Sequence, residues 1–183
     1  MKKAIVTMIL AVMCGCNTVM SPFVNLKPDF NALPAEEMRA LALEIEQAVQ
    51  EGNRNAQFED RPGLIVNEEA VLQAIRTRAA RSELVNQFRS SEFGVEEPDG
   101  LIHIHRTKEY NDATTYRQRD RNALLVMVEN NDRWAIYEGI RETSKLTPRA
   151  LGAIQRIFYE VRLETLPPGQ NYKDTEGNML ISD

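Results

Sequence analysis

His103 and His105 are the only histidines in the chain. They stand in Leu101-Ile102-His103-Ile104-His105, where period-two alternation puts both on one face of a strand. Two imidazoles so placed can face one metal ion, and zinc then needs at least one more protein ligand. Glu109 and Asp112 lie nearby in sequence. The competing reading is two surface histidines on a half-exposed strand. It is preferred, because no third histidine or usable thiol accompanies them, and neither a metal nor a cofactor is expected. Three carboxylate pairs, Glu36/Glu37, Glu68/Glu69 and Glu96/Glu97, offer acid–base chemistry in principle. The first two fall at expected helix starts, where the helix dipole accounts for them. A glycosidase cleft would be lined by aromatics, and the chain has a single Trp. No serine motif has the form of a nucleophile elbow, and no glycine-rich phosphate loop occurs. Glu129, Asp132 and Arg133 can pair with one another at helical spacings of three and four. Alternatively, Arg133 can reach a carboxylate on the last helix and fix the register between the two. A structural role is expected for this group.

The cysteines carry a different chemistry. Lys2 and Lys3 form a basic start, Ala4 to Met13 are apolar, and Met13-Cys14-Gly15-Cys16 follows. The apolar stretch suits a signal peptide and is too short to span a bilayer as a helix. The arrangement resembles a bacterial lipoprotein signal, with Gly15 as the small residue before the cut and Cys16 as the acylated residue. Cys14 departs from the usual Ala, Ser or Thr at its position. Two or three acyl chains at Cys16, each buried methylene contributing about 0.8 kcal/mol, would give stable anchoring. Asn17 is not the aspartate typical of inner-membrane retention. The expected location is therefore the periplasmic face of the outer membrane.

Removal of residues 1–15 leaves 168, enough for one domain with a core of its own. The loss of Lys2 and Lys3 leaves 20 basic against 27 acidic residues, a balance of −7. So acidic a chain is a poor general binder of nucleic acid. With Cys14 removed and Cys16 acylated, no cysteine remains for a disulfide, a thiolate metal site or a nucleophile.

The elements that must position any site are mostly helical. Residues 16–33, with Pro22 and Pro28, read as a tether to a domain spanning 34–183. Pro34 opens a first helix, with Met38, Leu41, Ala42, Ile45, Ala48 and Val49 on one face and Gly52 as its stop. The stripe fits burial better than a detachable helix seeking a partner groove. Asn67 caps a second helix whose apolar positions are Val71, Leu72, Ile75, Ala79, Leu84, Val85 and Phe88. Its arginines, Arg76, Arg78, Arg81 and Arg89, read as a solvated face. Ser90 to Gly100 reads as a loop and residues 101–105 as a strand. A long helix follows over about Tyr116–Thr143, with Leu124, Leu125, Val128, Ala135, Ile136, Tyr137 and Ile140 as its apolar positions. Thr147-Pro148 restarts a last helix to about Thr165, with Leu151, Ile154, Ile157, Phe158 and Val161 inward. Strands around Tyr172 and Met179 can pair across the turn at 174–177. The expected fold is mainly α: an irregular bundle of about four helices with a minor β element, one short strand and a C-terminal hairpin.

Residues 64–183 resemble the YdbL-like family of exported bacterial proteins, assigned mainly as a domain of unknown function. The resemblance rests on Val128-Glu129-Asn130-Asn131-Asp132-Arg133 followed by Tyr137 and Ile140. It also rests on Ser144-Lys145-Leu146-Thr147, on Pro168-Gly169 with Tyr172 and Gly177-Asn178-Met179, and on Gly100 in Asp99-Gly100-Leu101. Met179 stands where the family tends to have Trp, and methionine fills space while specifying geometry less well. The resemblance implies an accessory role beside an AsmA-like protein that bridges the two membranes, in lipid transport or envelope assembly.

Two function classes follow. The preferred one is a non-enzymatic envelope lipoprotein that binds another envelope protein. The alternative is a metal- or carboxylate-dependent hydrolase of an envelope polymer, using His103 and His105. A partner surface is expected around Trp134, Pro168 and Tyr172, since exposed aromatics are effective anchors. Packing of Trp134 and Tyr172 onto the helices is the competing explanation.

Overall fold

The computed structural model describes residues 27–183. Cys16 and the signal segment before it lie outside the described residues. Among the described residues, five α-helices and four short strands make up the fold: α1 (Ala35–Gln50), α2 (Glu69–Arg89), β1 (Gly94–Glu96), β2 (Ile102–Ile104), α3 (Lys108–Ala113), α4 (Tyr116–Thr143), α5 (Ala150–Glu164), β3 (Asn171–Lys173) and β4 (Met179–Ile181). The mainly helical class with a minor β element is as expected from the sequence.

Local chemistry sets the ends of these helices. Glu36 and Glu37 occupy the first turn of α1, next to its positive end. At the other end, the Gly52 N–H donates to the Val49 carbonyl and the Asn53 N–H to the Ala48 carbonyl. Gly52 takes φ +66°, the left-handed conformation this double closure requires. The same closure ends α4, where the Lys145 and Leu146 N–H groups donate to the Glu142 and Arg141 carbonyls. There the left-handed position is held by a lysine, Lys145, at φ 55°. Thr115 and Gln118 form a reciprocal capping box at the start of α4. The cap of α2 is Glu68, whose side chain accepts from the Val71 N–H, one residue later than the sequence suggested.

The long helices pack around one apolar core. α1 lies on α5 and α2, and α2 lies along α4. All six stripe positions of α1 are buried, which accounts for that face without a partner groove. All five inward positions expected on α5 are buried too. Two expectations fail. Leu84 on α2 and Leu124 on α4 are 56% and 57% exposed. Residues 27–33, at the end of the expected tether, belong to the fold: Asp29 caps a 3-10 turn at Phe30–Ala32 that packs on α5, and Leu33 is buried.

The strands form one sheet in the order β2-β1-β3-β4. β1 pairs antiparallel with β2 and parallel with β3, and β3 pairs antiparallel with β4. β1 lies inside the segment read as a loop, and it joins the expected strand to the expected hairpin. β2 is an edge strand, but its edge is partly occupied by Asn130 of α4. The Asn130 carboxamide accepts from the Ile102 N–H at 3.0 Å and donates to the Ile102 carbonyl at 2.8 Å. One side chain thus mimics a neighbouring strand and fixes the sheet to α4.

A buried arginine–glutamate network as the candidate functional site

Three glutamates and four arginines meet inside the domain. Glu46 comes from α1, Arg78 and Arg89 from α2, Glu96 from β1, Glu129 and Arg133 from α4, and Arg162 from α5. Each side chain is almost fully buried, and Glu96 is 0% exposed. Charges rarely occupy such positions unless paired.

Here the pairing is dense. Arg78 grips Glu46 with both terminal nitrogens, at 2.9 and 3.0 Å, and its Nε donates to Glu129 at 2.9 Å. Arg133 repeats the pattern. It grips Glu96 at 2.7 and 2.9 Å, and its Nε reaches the same Glu129 oxygen at 2.9 Å. Such two-pronged pairs are the strong, directional form of the arginine–carboxylate contact. Arg162 spans the two halves, donating to Glu46 at 2.9 Å and to Glu96 at 3.2 Å. Arg81, nearer the surface, donates to Glu129 at 3.1 Å and to Asp132 at 2.5 Å. All six oxygens of the three buried glutamates therefore accept from a guanidinium.

A backbone carbonyl completes the centre. The Gly100 oxygen accepts from Tyr137 Oη at 2.8 Å and from Arg162 at 2.6 Å. Gly100 has φ +79°, and a Cβ there would lie 2.9 Å from the Gln155 carbonyl oxygen. Only glycine allows the loop to bring its carbonyl against α5.

The electrostatics follow from burial against pairing. Burial pushes the three glutamate carboxyls up. The guanidiniums outweigh it and hold all three below the usual carboxylate range: Arg78 and Arg162 at Glu46, Arg133 and Arg162 at Glu96, Arg78 and Arg133 at Glu129. Burial also pushes the Tyr137 phenol up, so it stays a neutral donor. Carboxylates so held are ionised and occupied at neutral pH. A general base needs a pKa near the working pH and a free lone pair. What this arrangement can do is tie four long helices and a strand into one register.

The sequence expected one of these features and missed the rest. The Glu129–Arg133 pair at spacing four is present. The carboxylate expected from the last helix comes instead from β1, while the last helix supplies Arg162. Arg78 and Arg89 are buried and Arg81 is nearly so, which corrects the solvated face read for α2. Only Arg76 of the four is exposed enough to fit that reading, and it pairs with Glu69. A signal did exist. Arg162 follows Ile154 and Phe158 at successive steps of four, and Arg78 stands three residues after Ile75. A charge at the centre of an apolar stripe marks a buried ion awaiting a partner.

The other candidate residues are placed as follows. His103 Nε2 lies 3.0 Å from Asp99 Oδ2 and 4.0 Å from Glu97, while His105 is exposed just beyond β2. Burial pushes the His103 imidazole down, but the Asp99 hydrogen bond and charge outweigh it and leave the pKa above its usual value. Among the described residues, no group of three or more His, Cys, Asp or Glu side chains is placed to hold a metal ion. Trp134 is partly buried on α4 against the main core. Tyr172 is partly exposed in β3, and Pro168 is exposed in the turn before it. α4 meets the sheet at β2, two positions from β3, so Trp134 and Tyr172 stand on separate elements. Among the described residues, no helix is long and apolar enough to cross a membrane. No family model, curated protein or solved structure matches this chain.

Proposed function

We propose that the protein is a non-enzymatic lipoprotein of the cell envelope, anchored through acyl chains on Cys16 at the periplasmic face of the outer membrane. In this reading it is an accessory or interaction protein that supports intermembrane lipid transport or envelope assembly, with an AsmA-like protein as partner. The observation that carries it is the state of the ionisable groups. The most strongly perturbed carboxylates are consumed in pairing with one another's arginines, which suits a rigid binding module. Residues on which the YdbL-like resemblance rests lie in the same place. Gly100, Glu129, Arg133 and Tyr137, all among the residues on which it rests, meet in the network.

Two measurements test this. Intact mass of the membrane-bound protein should show loss of residues 1–15 and gain of lipid at Cys16; a soluble, unmodified product refutes the anchor. A photo-crosslinker placed at Tyr172, and in a second variant at Leu124, should capture in intact envelopes a protein identified by mass as AsmA-like. Capture of no envelope protein from either position refutes the interaction role.

The hydrolase reading draws on one observation, the Asp99–His103 pair. One zinc per full-length chain, lost in both His103→Ala and His105→Ala, would favour it over the binding role.

A further inference from the structure

The network does not balance. Its fully buried members are Arg78, Arg89, Arg133 and Arg162 against Glu46, Glu96 and Glu129, one positive charge in excess. Arg81 and Asp132 at its edge add one charge of each sign and leave the excess unchanged.

The surplus is best placed at Arg89. Its closest carboxylate is Glu96, at 3.3 Å, and Glu96 is already gripped by Arg133 and shared with Arg162. A second Arg89 nitrogen donates to the neutral Asn86 side chain. The third, Nε, is buried and has no acceptor among the described residues. Burial holds the Arg89 pKa below that of an ordinary arginine, but a guanidinium remains charged at any physiological pH.

Arg89 lines a cavity of about 20 Å³. The same cavity is lined by Arg78, Arg133 and Arg162, with Glu46 and Glu129 as its only carboxylates. Four guanidiniums thus face two carboxylates across it. Glu96, the third carboxylate, is not part of the wall. Val49 and Val85, both buried, and Gln50, Ser82 and Asn86, all partly exposed, complete the lining between α1 and α2. A space of this size suits a single small particle, one water filling roughly 10–15 Å³. A monatomic ion fits it better than a sulfate, a phosphate or an organic acid.

We propose that this cavity is a binding site for a single monatomic anion, chloride under physiological conditions. The ion would accept from Arg89 Nε and cancel the network's surplus charge. Water can satisfy the donor but leaves the charge uncompensated, whereas a halide does both. Because the folded chain alone assembles the four guanidiniums, the ion stabilises the native state by mass action.

The test compares unfolding of the full chain in chloride, bromide and gluconate at one fixed ionic strength. Chloride should raise the unfolding midpoint saturably. At ten times its dissociation constant it should shift the folding equilibrium by about elevenfold relative to gluconate. Arg89→Met, which removes both the surplus charge and the free donor, should abolish that halide dependence. Arg39→Met, on an exposed pair, should keep it. Bromide-soaked crystals of the unaltered protein should show anomalous density in the cavity beside Arg89, a readout that does not depend on any variant folding. Equal midpoints in chloride and gluconate, or halide dependence surviving in Arg89→Met, overturn the proposal. So does a cavity that holds water alone in bromide.

Discussion

Up to Val128, no side chain of α4 is buried, although Ala123–Val128 is the helix's longest apolar run. From Glu129 onward the same helix buries two charged side chains, Glu129 and Arg133, beside Ile136, Tyr137 and Ile140. Leu124 and Met127 in the first half are more than half exposed. The two halves differ in their neighbours more than in their own composition. The second half is flanked by α2, α5 and β2, and those neighbours bring Arg78, Arg162 and the main apolar core. The first half has α2, the short α3 and the Ile102–Ile104 strand, and only Leu125 and Val126 join the small cluster around Val85, Phe88 and Ile102. Burial here is decided by what surrounds a position, and a charge goes inside where other elements supply its opposite.

Breaking the buried half should cost most. Glu129→Gln leaves Arg78 and Arg133 each short of a charged acceptor. Removing one partner of a buried pair typically costs 3–5 kcal/mol, about the whole stability of a marginal domain. Urea unfolding should show that loss, or no folded state. Replacing either exposed apolar residue of the first half, Leu124→Ser or Met127→Ser, should by contrast change stability by no more than about 0.5 kcal/mol.

Acid should reproduce the first effect without mutation. The carboxyls of Glu46, Glu96 and Glu129 lie lower in the folded chain than in the unfolded one. The unfolded state therefore takes up protons first as pH falls. The stabilisation is complete above the ordinary glutamate pKa of about 4.3 and is lost progressively below it. Urea midpoints should fall below that pH.

A smaller effect tests how closely the second half must sit. A Cβ on Gly139 would stand 2.4 Å from a methyl carbon of Val71 on α2. Gly139→Ala should cost about 1–3 kcal/mol through overpacking, despite alanine's higher helix propensity. Gly139→Ala with Val71→Ala should recover part of that loss.

The smallest lies at the end of α4. Lys145 occupies a left-handed position that Gly52 fills in the equivalent closure of α1. Lys145→Gly relieves the backbone but loosens the unfolded chain. A net gain of about 0.5 kcal/mol in the unfolding free energy is expected.

The fold was legible where periodicity was unopposed. The apolar stripes of α1 and α5, the bounds of α4 and the C-terminal hairpin all follow from spacing and turn residues. β1 was not legible, because three residues containing Glu96 carry no alternation and its parallel partner lies at Asn171–Tyr172. The arginines of α2 failed for a related reason. Periodicity assigns charges outward by default, and the carboxylates that draw Arg78 and Arg89 inward belong to α1, α4 and β1. Single-helix patterns could mark Arg78 and Arg162 as buried, but the pairing that makes the site was invisible to any reading of one helix at a time.

Glu46 and Arg162 are 116 residues apart in sequence. A chain made from its N-terminus completes this pair late. Until then Glu46 and Glu96 lack the guanidinium they share. Docking of α5 completes the set. Pairings this distant in sequence favour slower folding. A chain truncated before α5 keeps the charges and lacks Arg162, one of the two residues, with Glu129, that join their halves.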